Sequence, residues 1–212
     1  MAPYTLVFDL DNTLYPASSG LMQAVGARMR QFMRNVTGLG DAENDLLRAQ
    51  YLQTYGTTLA GLEANYQIDS EAFLHFVHDV DHQRYIAYYA ELDQMLTRMP
   101  QPKLIFTNGT VEHAAVTLDV LGVRHHFDTV LDLRAFGMRP KPQAAAYERL
   151  AQALPAGCPA LYVDDRPGNL IPAAELGLTT VLVNEPGLRV NHVAHYEIRS
   201  ILELEAIVAG LT

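Results

Sequence analysis

What most constrains this chain is a repeated pairing: an apolar strand-like run, a polar strand end, then a helical pattern. YTLVFDL at 4–10 is short, apolar and rich in β-branched and aromatic residues, and it runs into Asp9, Asp11, Asn12 and Thr13. Similar runs recur as KLIFT at 103–107, DTVLDL at 128–133, ALYVD at 160–164 and TTVLV at 179–183. Helical faces lie between them: Ala114, Leu118 and Leu121 stopped by Gly122; Tyr147, Leu150 and Leu154 before Pro155; Leu170, Ala173, Ala174 and Leu176 before Gly177. Strands that alternate with helices are parallel and joined by right-handed crossovers, so the fold class is α/β with a doubly wound, Rossmann-like parallel sheet. A final helix over about 198–209 completes this part.

Residues 16 to about 92 interrupt the alternation. Leu21, Val25, Met29, Phe32, Met33 and Val36 trace one helical stripe. Asp41 reads as an N-cap for a second stripe of Leu46, Leu47, Tyr51, Leu52 and Tyr55. A third helix carries Phe73, Phe76 and Val77 behind Ser70 or Asp69. The expected organisation is therefore a core of 1–15 and 93–212 with an all-helical insertion at 16–92. Tyr88 and Tyr89 mark the return to the core.

In a parallel sheet the strand C-termini share one edge, and ligands bind there. The polar residues of this chain fall at that edge: Asp9 and Asp11 in DLDNT, Thr107 and Asn108 in IFTNGT, Lys141 in RPKP, Asp164 and Asp165 in YVDDRPGN. The acids repel one another unless a hard cation such as Mg²⁺ relieves them. Mg²⁺ and Lys141 together would neutralise a phosphate, and Thr107 with the backbone N–H groups near Asn108 and Gly109 can bond its oxygens. One carboxylate can attack phosphorus. A second can move the proton of the leaving oxygen, help typically worth about 10²–10⁴-fold. Pro140 and Pro142 hold the backbone around Lys141. Asp164 read alone would cap a helix starting near Pro167.

The four motifs, in this order, resemble the haloacid dehalogenase superfamily of phosphatases. DLDNT matches its first motif, IFTN its second, RPKP its third and VDD its fourth. The resemblance implies that Asp9 is the nucleophile and Asp11 the general acid/base. It implies that Thr107 and Lys141 hold the phosphoryl group, and that Mg²⁺ is bound by Asp9, the backbone carbonyl of Asp11, and Asp165, with Asp164 assisting. Dehalogenases lack the second acid of motif one, so Asp11 points to phosphate esters. The helical insertion looks like the family's C1 cap. Its YGTTLAGL at 55–62 and FVHD at 76–79, with DLDNTLYP, resemble the pyrimidine 5′-nucleotidase branch. That implies hydrolysis of UMP or CMP, with Gly56, Thr57 and Thr58 at a turn touching base or ribose. A phosphatase or phosphomutase for another small ester, such as a sugar phosphate, is the alternative. A phospho-receiver domain is disfavoured because the nucleophile lies on the first strand beside a second Asp, and because a helical insertion suits shielding a small substrate from water.

Composition sets limits on partners. Lys and Arg number 15 against 24 Asp and Glu, a formal net charge of -9. Such a surface disfavours nucleic-acid polymers and anionic lipid, and leaves a small phosphorylated metabolite, expected to be a nucleotide, as partner. The single cysteine, Cys158, precludes an internal disulfide, and the sequence holds neither a signal-peptide pattern at its N-terminus nor an apolar run of the roughly 20 residues a membrane span needs, so the expected location is the cytoplasm. His75, His78 and His82 recur at helical spacing and could bind zinc, but a solvated polar face is the expectation. His125 and His126 are read as a solvated loop.

Overall fold

A computed structural model describes residues 4–185, 187 and 194–211. They fall into two compact units, one of residues up to Ser19 with those from His82 onward, the other of Gly20–Asp81. Among the described residues no helix is long and apolar enough to cross a membrane.

The larger unit is built on six parallel strands: β1 Thr5–Phe8, β2 Lys103–Phe106, β3 Thr129–Leu131, β4 Ala160–Asp164, β5 Thr179–Val183 and β6 Tyr196–Ile198. Their order across the sheet is β3-β2-β1-β4-β5-β6. The chain winds one way from β1 through β2 to β3 and then returns to the other side of β1 with β4. The strand order therefore reverses at β1, and the crevice at its C-terminal end is where such sheets bind ligands. β1 and β4 are buried along their whole length, as central strands of a parallel sheet are.

Helices α5 (Ala90–Arg98), α6 (Val111–Leu121), α7 (Ala144–Ala153), α8 (Pro167–Glu175) and α9 (Leu204–Leu211) belong to this unit. α6 ends at Gly122, whose φ of 75° puts it in the left-handed region, and Gly177 after α8 does likewise at 82°. β6 replaces the start of the last helix expected from about 198. Tyr196–Ile198 pairs with β5 instead. Ser200 then begins a capping box with Glu203, and α9 starts only at Leu204 after a 3₁₀ turn. A three-residue edge strand carries too little alternation to separate it from the helix that follows.

Residues 82–92, read as part of the insertion, group with the sheet unit. Tyr88 lies over Gly122, where an added Cβ would meet its ring at 2.4 Å. Tyr89 N–H donates to Leu121 O at 3.1 Å.

The Gly20–Asp81 unit holds α1 (Leu21–Thr37), α2 (Asp41–Tyr55), α3 (Thr58–Tyr66) and α4 (Ser70–His78). Leu21, Val25, Met33, Tyr51, Leu62, Phe73 and Val77 form its core. Phe32 meets Phe73 and Phe76 edge to face at 5.1 and 5.4 Å. Asp69 caps α4 by accepting from Glu71 N at 2.9 Å. Asp41 is not the cap of α2. Gly40 takes that position, with Glu43 Oε2 accepting its N–H at 3.0 Å, and Asp41 pairs with Arg34. α3 was not expected from periodicity, because its apolar residues are spread around the helix rather than along one face.

Gly61 in α3 carries a sharp packing constraint. A Cβ there would stand 2.2 Å from Cγ of the buried Tyr51 ring. Gly61→Ala is therefore expected to lower stability by about 1–3 kcal/mol, although alanine favours a helix by up to about 1 kcal/mol. Thermal melting checks this, and an unchanged or raised melting temperature would show that Tyr51 can move aside.

Candidate active site

β1 ends at Phe8, yet the next residue still follows the ladder: Asp9 N–H donates to Val163 O at 2.9 Å. This continuation sets Asp9 beside the end of β4, where Asp164 is the last strand residue. The chain then turns sharply, with Asn12 at φ 61°, a left-handed conformation that asparagine tolerates better than most residues. The turn brings Thr13 back, and its hydroxyl donates to Asp9 Oδ2 at 3.2 Å. Thr107 follows β2 in the same way, its N–H donating to Leu131 O at 2.9 Å, and its Oγ1 accepts from Gly109 N at 2.9 Å. A Cβ added to Gly109 would lie 3.3 Å from Thr107 Oγ1 and 3.6 Å from Asp11 Oδ2, so Thr107, Gly109 and Asp11 share one spot.

Lys141 reaches this edge from the loop after β3. Its Nζ lies 2.7 Å from Asp9 Oδ1, 3.0 Å from Asp164 Oδ2, 2.9 Å from the Tyr162 hydroxyl and 2.6 Å from Phe106 O. Asn108 fixes the approach: its Nδ2 donates to Lys141 O at 3.1 Å and its Oδ1 accepts from Lys141 N at 2.8 Å. The side chain of Asn108 thus ties the second motif to the third, a role the sequence reading did not assign to it. Burial pushes the Lys141 ammonium down, but Asp164 and Asp9 outweigh it and hold the ammonium above its ordinary value. One ammonium can balance only one of these two carboxylates when both are ionised.

Asp164 is fully buried and does not cap α8. Its Oδ1 accepts from Arg166 N at 2.7 Å, and Asn169 Nδ2 bridges its two oxygens at 3.1 and 3.0 Å. The Tyr162 hydroxyl also donates to it. Tyr162 itself is held protonated well above its usual range by burial and by the charge of Asp164. Asp165 receives Asn12 Nδ2 at 3.4 Å. Burial, then the charge of Asp164, raises the Asp165 carboxyl to about 6. Asp9 is raised well above its ordinary value, first by burial, which the attraction of Lys141 only partly offsets.

Asp9, Asp164 and Asp165 each offer a carboxylate oxygen, and these oxygens lie within 4.8 Å of one another. All three donors are hard oxygens, and when ionised they carry more negative charge than Lys141 cancels. Beside them Asn12 Oδ1 is a buried acceptor without a hydrogen-bond partner. That donor set fits a small hard divalent cation such as Mg²⁺ rather than a soft metal.

Asp11 has its own surroundings. Its Oδ1 accepts from the Tyr15 hydroxyl at 2.5 Å and lies 2.8 Å from His113 Nε2. Burial pushes the His113 imidazolium down, but the adjacent Asp11 outweighs that and raises it. Tyr15, His113, Tyr162 and Asn169 were all missed at the sequence level. Tyr162 left a faint signal, since it shares a strand face with Asp164 two residues on. His113 left none, because nothing in the chain order places it near Asp11.

Other expectations fare differently. Gly56, Thr57 and Thr58 belong to the Gly20–Asp81 unit and form the turn between α2 and α3, with Thr57 Oγ1 accepting from Ala60 N at 3.0 Å. The histidine stripe does not exist as a face. α4 ends at His78, His78 Nδ1 sits 2.9 Å from Leu74 O, and His82 is buried against His113. His126 is likewise not solvated: its side chain is 10% exposed and its Nε2 lies 2.7 Å from Asp93 Oδ1.

The chain matches the haloacid dehalogenase-like hydrolases over residues 5–177. A curated relative, "Phosphate metabolism protein 8" of Saccharomyces cerevisiae, is 27% identical over 191 residues, covering 82% of this chain. The chain spans only 60% of that relative's length. Among solved structures, YfnB of Bacillus subtilis, described as a HAD-hydrolase bound to magnesium, superposes with a TM-score of 0.65 at 18% identity, covering 98% of this chain and 99% of that one. A HAD phosphatase from Thermococcus onnurineus gives 0.65 at 21% identity, with 98% of each chain covered. These likenesses share the parallel α/β fold seen here, and with a family match reaching from β1 to the end of α8, the chain belongs to the haloacid dehalogenase-like hydrolase family.

Proposed function

We propose that this hydrolase is a Mg²⁺-dependent phosphomonoesterase that works through an aspartyl phosphate on Asp9, with the pyrimidine nucleoside 5′-monophosphates UMP and CMP as substrates. The observation that carries the reaction class is Asp11. It stands two residues beyond Asp9, on the same side as Thr107 and Gly109, where an alkyl halide would need no proton but a phosphate ester does.

In this reading Asp9 attacks phosphorus while Thr13 and Lys141 hold its two oxygens in place. Asp11 gives its proton to the leaving oxygen. Water then attacks the aspartyl phosphate, returning a proton to Asp11 and the electron pair to Asp9. Thr107 and the backbone N–H groups of Asn108 and Gly109 bind the phosphoryl oxygens, and Lys141 neutralises charge there. Asp9, the backbone carbonyl of Asp11 and Asp165 would hold the cation, with Asp164 behind them. Bound there, it supplies positive charge to the phosphoryl oxygens. The pyrimidine preference rests on the helical unit's likeness to the nucleotidase branch, with Gly56, Thr57 and Thr58 as the proposed base or ribose contacts.

A phosphate-release panel of UMP, CMP, dUMP, AMP, GMP and sugar phosphates, with and without Mg²⁺, tests both levels. Release that needs Mg²⁺ and favours UMP and CMP supports the whole reading. A preference for sugar phosphates removes the nucleotide part, and no release from any ester overturns the reaction class.

The carboxyl shifts give a second expected result. Asp9 and Asp165 have folded-state values above their unfolded ones, Asp165 at about 6. In the metal-free protein the contribution of Asp165 to stability is full below about pH 4 and is lost as pH rises through about 6, and that of Asp9 is likewise lost as pH rises. Cation binding requires the ionised form, so it restores stability only in the upper range. Added Mg²⁺ should therefore raise the melting temperature more at about pH 7.5 than at about pH 5. Equal shifts at both would mean that these carboxylates do not hold the ion.

A further inference from the structure

Asp11 is anchored by more than one contact. The Tyr15 hydroxyl and His113 Nε2 both meet Oδ1, at 2.5 and 2.8 Å. The His113 side chain is entirely buried, and its backbone N–H donates to Thr110 Oγ1 at 3.2 Å in the first turn of α6. Behind it, His82 Nε2 lies 3.0 Å from His113 Nδ1, and the two rings stand 5.0 Å apart at 45°. His82 is itself only 5% exposed, in the 3₁₀ turn His82–Arg84. Tyr15, four residues along the chain, and His113, 102 residues along it, thus meet on one carboxylate oxygen, and His82 meets the far nitrogen of His113.

The direction of the chain follows from the donors. With Asp11 Oδ1 as acceptor, His113 Nε2 carries a proton. In a neutral ring Nδ1 is then an acceptor, and it is satisfied by His82 Nε2–H. Anchoring Oδ1 fixes the carboxylate plane, and Oδ2 lies on the side of Gly109 and Thr107 Oγ1. That is the side on which a phosphoryl group held by Thr107 would sit.

We propose that His113, backed by His82, is a positioning residue for Asp11, holding the carboxylate so that Oδ2 exchanges the proton with leaving oxygen and water. This rests on the phosphomonoesterase reading above. The step it serves balances: water oxygen bonds to phosphorus, the bond from phosphorus to Asp9 breaks with its electron pair returning to the carboxylate, and the water proton passes to Asp11 Oδ2. That proton goes to the leaving oxygen in the next turnover. Hydrolysis of the aspartyl phosphate depends on this alignment. Its formation from an aryl phosphate, whose leaving group needs little protonation, depends on it much less.

The test is rapid-mixing kinetics of the full chain with p-nitrophenyl phosphate and Mg²⁺, comparing wild type with His113→Ala, His113→Gln and His82→Ala. For His113→Ala the expectation is a burst of about one nitrophenolate per enzyme followed by steady turnover slowed about 10–100-fold, with KM falling in step so that kcat/KM stays within about twofold. Glutamine can place an N–H near Oδ1, so His113→Gln should recover most of the rate. His82→Ala leaves the direct contact and should lose about 3–10-fold. If His113→Ala does not fold, His82→Ala and His113→Gln carry the test alone. Wild-type turnover in folded variants overturns the proposal, and so does a loss of the burst together with a fall in kcat/KM, which a purely structural role would give. If wild type itself shows no turnover that Asp9→Asn removes, the phosphomonoesterase reading fails. A wild type dependent on Asp9 with unaffected histidine variants fails this proposal alone.

Discussion

Asp9→Asn is expected to lower kcat/KM on any phosphate ester by about 10⁴-fold or more while leaving the fold in place. The size follows from the role: a carboxamide is not a nucleophile toward phosphorus, and loss of a nucleophile in covalent catalysis removes most of the acceleration. The persistence of the fold follows from the contacts. An asparagine Oδ1 still accepts from Lys141, and its Nδ2 can donate to the Thr13 hydroxyl in place of the contact now made by Oδ2. Asp164 remains to balance the Lys141 charge. Substitution also removes a carboxylate that burial disfavours. Phosphate release together with circular dichroism and thermal melting checks both halves. Turnover within tenfold of wild type in a folded Asp9→Asn protein would remove Asp9 from the reaction.

Lys141→Met should be damaging in both respects. The ammonium is buried, 3% exposed as a residue, and it is the cation between Asp9 and Asp164. Methionine of similar length fills the space but leaves two buried carboxylates facing each other, together with Phe106 O and the Tyr162 hydroxyl deprived of a donor. Breaking a buried pair by removing one member costs about 3–5 kcal/mol, because the remaining charge stays desolvated. For a chain of this size that corresponds to a fall in melting temperature on the order of 6–20 °C. Activity should fall by about 10²–10³-fold at least, as expected for loss of a preorganised charge at the reacting group. Arginine is not expected to rescue, since a planar fork cannot replace a compact ammonium in a closed cage. A stable, active Lys141→Met protein would mean that the cage is not the centre of the site.

Much of this arrangement could be read along the chain, for a simple reason. Polar residues that end apolar runs, as at Asp9, Thr107 and Asp164, must emerge at the same sheet edge once the strands are parallel, so local order implies spatial proximity. Lys141 was legible because Pro140 and Pro142 isolate it in a loop after β3. Asn108 was legible as a position but not as the clamp on the Lys141 backbone, since that clamp joins loops 33 residues apart. β6 escaped because a three-residue edge strand carries almost no periodicity, and the helix-capping Ser200 and Glu203 lay unread just beyond it.

Hydrophobic periodicity and strand-end chemistry are properties of neighbours in sequence, and by themselves they determined the parallel α/β sheet and which polar residues stand at its strand ends. The supports of those groups were decided only by the tertiary structure. Tyr162 and Asn169 on Asp164, and Tyr15, His113 and His82 on Asp11, are hydrogen-bond partners met when separate elements pack. Burial then forces each polar group to find a partner among whatever lies nearest in space, a requirement that no sequence period encodes.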